Sequence, residues 1–193
     1  MKKILFFSNN NNKIGEVKKI FNGIDYKIFS PKDFNLNFVP KEIGKSFIEN
    51  AKIKSEFGFR KTKMPCFADD SGICIDALAG KPNIHSRKFL ESFKNNSECF
   101  KYIIDKVKSS GKNKAYFQTS ICYSIKNDYH IVFTGKVNGV IANKIAGKRG
   151  FGFDPIFIPE GYKKTYSEIT TNKKNLISHR SIATNKLISF LLN

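Results

Sequence analysis

Short apolar runs alternate with polar turns along the chain, and several longer stretches repeat their apolar residues at helical spacing. A short apolar run bounded by turn formers reads as a strand, whereas recurrence at i, i+3, i+4 and i+7 reads as a helix. Ile4-Leu5-Phe6-Phe7 is thus predicted as a buried strand, Ser8 to Asn12 as a loop, and Lys13 to Phe21 as a helix with Ile14, Val17, Ile20 and Phe21 on one face. Ile24 to Phe29 predicts a second strand, and Asn35 to Lys45 a loop containing Pro40 and Gly44. Ser46-Phe47-Ile48-Glu49 has the spacing of a capping box, which starts a helix running to about Phe57. Cys66-Phe67-Ala68 predicts a strand that ends at Asp69-Asp70-Ser71-Gly72. A helix follows from Ser97 to near Ser109-Ser110-Gly111. Ala115 to Ser124 and Tyr129 to Thr134, broken at Asn127-Asp128, predict an antiparallel hairpin that Gly135 to Ile141 extends. Ile156-Phe157-Ile158 is a short strand, and Ser178 caps a C-terminal helix whose apolar face is Ile182, Leu187, Ile188, Leu191 and Leu192. No repeat, linker or low-complexity tail interrupts this order, so residues 1–193 are expected to form one domain, or two lobes sharing a core, with no separable linker.

Composition changes this picture little. The apolar fraction of 40% fills a core, and no apolar run approaches transmembrane length, so no membrane association is expected. The N-terminal Met-Lys-Lys-Ile-Leu-Phe-Phe begins like a signal peptide, but Ser8 to Asn12 cuts it short, and a cytoplasmic protein is expected. Cys66, Cys74, Cys99 and Cys122 form no Cys-x-x-Cys pair and read as reduced core thiols. With three histidines and no Cys/His cluster, a structural zinc site is not expected. Thirty-four basic residues against sixteen acidic ones give a net charge of +18. Such a charge suggests a polyanionic partner, yet the lysines are scattered, with no run of five. The richness in Lys, Asn, Ile and Phe, with no Trp, fits AT-biased codon drift, which explains much of the charge and leaves the rest to an anionic substrate; specific nucleic-acid binding would also leave Asp69-Asp70 unexplained.

The chemistry concentrates in five places. Asp69-Asp70-Ser71-Gly72 is either a solvated turn or a cation site, because adjacent carboxylates repel unless a cation lies between them. Ser8 to Asn12, between strand and helix, places helix-end N–H groups at a loop with Lys13 beside them, either as a phosphate site or as an ordinary asparagine-capped turn. Gly44-Lys45-Ser46 lacks the first glycine of a phosphate-binding loop, since Val39 stands there, and reads as a cap. Glu42, Glu49 and Asn50 flank that cap, and each serves either the cap or a site. Gly150-Phe151-Gly152-Phe153-Asp154 lets a backbone approach a ligand and offers two rings for stacking on a base. Ser178-His179-Arg180 puts cations in the first helical turn, where they oppose the dipole and favour an anion nearby.

Ser8 to Lys13, Phe47-Ile48-Glu49-Asn50-Ala51, Ala68 to Gly72, Gly150 to Phe157 and Ser178-His179-Arg180, in this order and at this spacing, resemble the motifs of the inosine triphosphate pyrophosphatase family. The resemblance covers almost the whole chain. It implies an α/β fold: an elongated mixed β-sheet with flanking helices and two lobes around a central active-site cleft, usually as a homodimer. It implies hydrolysis of deaminated purine nucleoside triphosphates (ITP, dITP, XTP) to the monophosphate and pyrophosphate. By the same resemblance, Ser8, Asn9, Asn10, Asn11, Asn12 and Lys13 hold the triphosphate, and Glu42, Asp69 and Asp70 bind Mg²⁺. Asp70 accepts the proton of the attacking water, and Ser71 touches substrate. Phe151, Gly152, Phe153 and Asp154 frame the base with Phe153 stacked on it, and Lys174, His179 and Arg180 complete the pocket. Three departures stand out: one acid in Lys41-Glu42 where relatives often have two, Phe153 where Tyr or Trp is usual, and His85-Ser86-Arg87-Lys88 where Tyr-Ser-Ala-Arg is common. Two rivals are a related septum-protein-type pyrophosphatase acting on pyrimidine or modified nucleotides, and a basic nucleic-acid-binding protein.

Overall fold

A computed structural model describes every residue of the chain except Asn37 and Val39. The predicted loop from Asn35 to Lys45 is therefore followed at its other positions, and Val39 lies outside the described residues. The strands are β1 (Lys2–Phe6), β2 (Tyr26–Phe29), β3 (Cys66–Ile75), β4 (Lys114–Lys126), β5 (Tyr129–Ile141) and β6 (Phe157–Pro159). The helices are α1 (Asn11–Ile20), α2 (Phe47–Thr62), α3 (Ser86–Glu91), α4 (Asn96–Ser110), α5 (Thr171–Ile177) and α6 (His179–Leu192). The strands form one sheet in the order β2-β1-β3-β4-β5-β6. β1 runs parallel to β2 and β3, with Leu5 opposite Cys66 and Phe6 opposite Phe67, whereas β5 and β6 are antiparallel. The two residues between β4 and β5 leave no length for a crossover, so that pair is a hairpin. This is the mixed α/β sheet that the resemblance implied. Among the described residues no helix is long and apolar enough to cross a membrane.

The chain divides into two compact units, Met1–Asp70 with Thr119–Gly135 and Arg180–Asn193, and Ser71–Gln118 with Lys136–His179. In the first, strand alternation sorts the core onto two faces. Ile4, Phe6 and Phe67 pack with Val17 and Phe21 of the α1 region and Ala183, Leu187 and Ile188 of α6. Leu5, Phe7, Cys66 and Ala68 face the other way, toward Phe57 and Phe59 of α2. On that face Gly58 lies so close that a Cβ there would sit 2.5 Å from Cys66 Sγ and 2.8 Å from the Phe7 ring. The second unit has its own core, in which Ile73 and Ile75 meet Phe100, Ile103, Phe117, Phe157 and Tyr166. All four cysteines are free and buried, and burial pushes their thiols up.

Five elements differ from expectation. β3 does not end at Asp69-Asp70 but runs on to Ile75. The ladder continues because Gly72 admits a close neighbour: a Cβ there would lie 2.1 Å from the Asn83 carbonyl oxygen and 2.6 Å from Ser86 Oγ. α2 runs past Phe57 to Thr62, where Lys63 takes the left-handed conformation (φ 55°). α4 is capped by Asn95, whose side chain accepts from Glu98 N at 3.0 Å, one turn position before the expected Ser97 start. Residues Thr171–Ile177 form a helix the apolar pattern did not announce, capped by Thr170. In α6 the buried face is Arg180, Ala183, Thr184, Leu187 and Ile188, and Leu192 is exposed, being one position off that stripe.

Candidate active site

The alternation of β3 carries on through the two aspartates. Asp69 has the parity of Phe67 and so points to the α1/α6 face, while Asp70 has the parity of Ala68 and points to the α2 face. On the first face, Asp69 Oδ2 lies 3.0 Å from Lys13 Nζ of α1 and accepts from Arg180 Nε of α6 at 3.2 Å. Arg180 also pairs through its terminal nitrogen with Glu16, one turn after Lys13 on α1. On the second face, Asn50 Nδ2 donates to Asp70 Oδ2 at 3.1 Å, and Asn50 Oδ1 accepts from Gly44 N at 2.9 Å. Lys54, one turn further along α2, sits 3.7 Å from Asp70 Oδ1 and 2.5 Å from Glu42 Oε1. Asp69, Asp70, Glu16, Asn50, Lys54 and Arg180 are all buried.

Burial of so many charges together is tolerable only because they pair. Four carboxylates meet three cations in this group. Burial pushes the Asp70 carboxyl above its ordinary value, and Lys54 and Lys13 only partly offset this. Burial likewise lowers Lys13, with Asp69 opposing and Arg180 reinforcing the shift. For Lys54 burial alone would lower the ammonium, but Asp70, Asp69 and Glu42 together outweigh it and raise it. Arg180 is raised in the same way, as Asp69 and Glu16 outweigh burial.

The loop at α1 is ordered by its own side chains. Asn10 caps the helix, its Oδ1 accepting from Asn12 N at 3.0 Å and Lys13 N at 3.2 Å. Ser8 Oγ accepts from Asn10 N at 3.3 Å. Asn9, Asn11 and Asn12 are exposed, and Asn11 Oδ1 accepts from Lys32 Nζ at 3.4 Å. Glu49 serves the cap of α2, accepting from Lys45 N at 2.6 Å.

In the second unit, Ser71 is half-buried on β3. Asp154 and Lys174 form a buried pair, Oδ2 to Nζ 2.6 Å. The same oxygen accepts from Phe151 N at 2.8 Å, closing a tight loop that Gly150 (φ 78°) permits, since a Cβ there would lie 2.0 Å from it. Lys174 Nζ also stands 4.7 Å from the centroid of the half-buried Phe151 ring. Phe153, the ring expected to stack on a base, is buried in the core with its ring 6.2 Å from that of Phe100. His179 is buried and stacked on Phe117 at 4.6 Å. Of the His85 stretch, Ser86 Oγ accepts from Ile73 N at 2.9 Å, and Arg87 pairs with Glu91 at the surface. Glu16 and Lys54 escaped the sequence reading, although each lies one helical turn from a residue it singled out, Lys13 and Asn50.

The donors facing Asp70 suit a hard cation: the Glu42 and Asp70 carboxylates, already bridged by an ammonium. The expected trio of Glu42, Asp69 and Asp70 is not assembled, and among the described residues no three His, Cys, Asp or Glu side chains gather to hold a metal ion. The reason is the pleat, which delivers Asp69 to Lys13 and Arg180 on the opposite face. A cavity of about 320 Å³ opens elsewhere, at the far end of α2 beside Glu56, Arg60, Lys63 and Lys126, and none of the candidate residues lines it.

Known proteins share this arrangement of chain. A dITP/XTP pyrophosphatase of Leptospira interrogans is 38% identical over 186 residues, covering 95% of this chain and 94% of that protein. The solved structure of a HAM1 protein from Coxiella burnetii superposes with a TM-score of 0.88 at 28% identity, covering 100% of this chain and 99% of that one. The Staphylococcus aureus Ham1 protein gives 0.85 at 34% identity, covering 99% and 98%. The family model described as Ham1 family matches residues 4–190, and the chain therefore belongs to the Ham1 family.

Proposed function

We propose that the protein hydrolyses ITP, dITP and XTP to the monophosphate and pyrophosphate, removing deaminated purine nucleotides before they enter DNA or RNA. The observation that carries this reading is the buried group around Asp69 and Asp70, in which carboxylates and cations alternate on two faces of one strand. The name of the Leptospira interrogans relative points the same way.

In this reading Asp70 is the general base. Its carboxyl is held above the ordinary value by burial, which brings it toward the working range of a base near neutral pH. Asn50 fixes its orientation through the 3.1 Å hydrogen bond. It takes the proton as water attacks the α-phosphorus, and the bond from that phosphorus to the bridging oxygen breaks to release pyrophosphate. Lys13, held by Asp69 at the start of α1, stabilises negative charge growing on the leaving phosphates. Arg180 adds to that field and is itself oriented by Glu16. Mg²⁺, held by Glu42 and Asp70, would supply charge neutralisation on the phosphates and an oriented water. Ser8 and Asn9 to Asn12 keep the proposed phosphate role as backbone and cap of α1. In the second unit Phe151 takes the stacking role, with Lys174 and Asp154 fixing its loop. Ser71, Gly152 and His179 remain proposed substrate contacts. A 6-oxo purine is preferred because donors left unpaired by adenine disfavour it. The whole chain acts as one domain, as a cytoplasmic homodimer.

The test is incubation with ITP, XTP, ATP, GTP, UTP and CTP in Mg²⁺, followed by product identification. ITP and XTP are expected to give monophosphate and pyrophosphate far faster than ATP or GTP. Release of orthophosphate would overturn the reaction type, and preference for pyrimidine or modified nucleotides would transfer the chain to the septum-protein-type reading.

A further inference from the structure

The Lys54 ammonium lies where two carboxylates converge, 2.5 Å from Glu42 Oε1 and 3.7 Å from Asp70 Oδ1. Its side chain is 9% exposed. Lysine is ordinarily a solvated residue, and its burial is unfavourable unless an opposite charge meets it. An ordinary surface bridge joins one carboxylate to one cation, whereas here one ammonium serves two. Lysine is also the side chain nearest in kind to a small metal ion, a compact, strongly hydrated point charge on a flexible stem. Asn50, one turn earlier on α2, holds Asp70 independently through its amide. The ammonium can therefore leave by rotation of its own stem while Asp70 stays in place.

Resting on the pyrophosphatase reading above, we propose that Lys54 is a resident counter-cation of the metal site. It neutralises Glu42 and Asp70 in the metal-free enzyme and competes with the divalent cation for the same oxygens. Metal loading then includes the departure of the Lys54 ammonium, and the affinity for metal is set by that exchange as well as by the carboxylates. Lys54 is in this sense a positioning residue: it keeps two like charges close together until the metal arrives.

Binding of Mn²⁺ to the nucleotide-free full chain, followed by titration calorimetry, tests this. Lys54→Met is expected to bind Mn²⁺ about tenfold or more tightly than the natural protein, the fold-change that one charge-assisted hydrogen bond represents. Lys54→Arg, which keeps the charge, is expected to restore weak binding. Equal or weaker affinity in Lys54→Met overturns the proposal. So does unchanged affinity accompanied by a raised KM for nucleotide, which would make Lys54 a phosphate contact. The natural protein gives a second readout in case the variant fails to fold. The ¹H–¹⁵N signal of the Lys54 ammonium is expected in the metal-free protein and to vanish or shift at saturating Mg²⁺, and its persistence unchanged overturns the proposal. The calorimetric and NMR measurements contain no substrate, so their failure leaves the nucleotide panel standing, and failure of that panel leaves the metal affinities as measured.

Discussion

Asp70→Asn separates the two demands that Asp70 meets, chemistry and folding. The substitution keeps the size of the side chain and an oxygen to accept from Asn50 Nδ2, now 3.1 Å away. It removes the proton acceptor and one negative charge from a group in which four carboxylates meet three cations, leaving that group neutral. Loss of a general base lowers kcat by roughly 10²–10⁴, about 3 to 5.5 kcal/mol of transition-state stabilisation. Stability moves the other way. Burial raises the folded-state carboxyl above its ordinary value, so the acid form is the one folding favours. That contribution is fully present below the unfolded-state pKa and is lost as pH rises through the raised folded value. At neutral pH the ionised Asp70 is therefore a cost, and the asparagine variant is expected to melt at the same or a higher temperature than the natural protein, with the difference shrinking as pH falls. Pyrophosphate release from ITP at saturating Mg²⁺, with thermal unfolding at pH 5 and pH 8, measures all of this. An active variant removes Asp70 as base, and a variant that melts lower at pH 8 refutes the reasoning about burial.

Two further substitutions test the second unit. Lys174→Met leaves the buried Asp154 carboxylate without its 2.6 Å partner and is expected to cost about 3–5 kcal/mol in urea unfolding; adding Asp154→Asn should recover part of the loss, and a loss under about 1 kcal/mol in the single variant contradicts the pairing. Gly72→Ala drives a methyl to 2.1 Å from the Asn83 carbonyl oxygen and is expected to destabilise by about 1–3 kcal/mol, read as a lowered melting temperature, with an unchanged temperature speaking against the close packing there.

The parts of the fold legible in the sequence are those with a local cause. Ser46 and Gly111 mark helix ends because each satisfies or relaxes its own backbone. The hairpin follows from two β-rich runs and a two-residue break. What was not legible depends on partners far along the chain. Aspartate is a poor strand former, so a strand seemed to stop at Asp69; inside the strand that carboxylate is neutralised by Arg180, 111 residues away, and by Lys13. Glu16 and Lys54 look like solvated helix charges until the sheet supplies their counter-charges. The Phe151–Phe153 pair shows the same limit, since only packing decides that Phe153 meets Phe100 and Phe151 stays at the loop surface.

Gly58 carries a consequence beyond packing. Asn50, Lys54 and Gly58 follow one another at four-residue steps on α2, along one stripe of the helix. The missing methyl at Gly58 sets how far that helix rides above β3, and so sets the reach of the amide and the ammonium one and two turns away. Gly58 therefore works as a spacer that tunes the site from a distance. A side chain at this one position, in a residue with no chemistry of its own, would shift both groups while every reacting group stays the same.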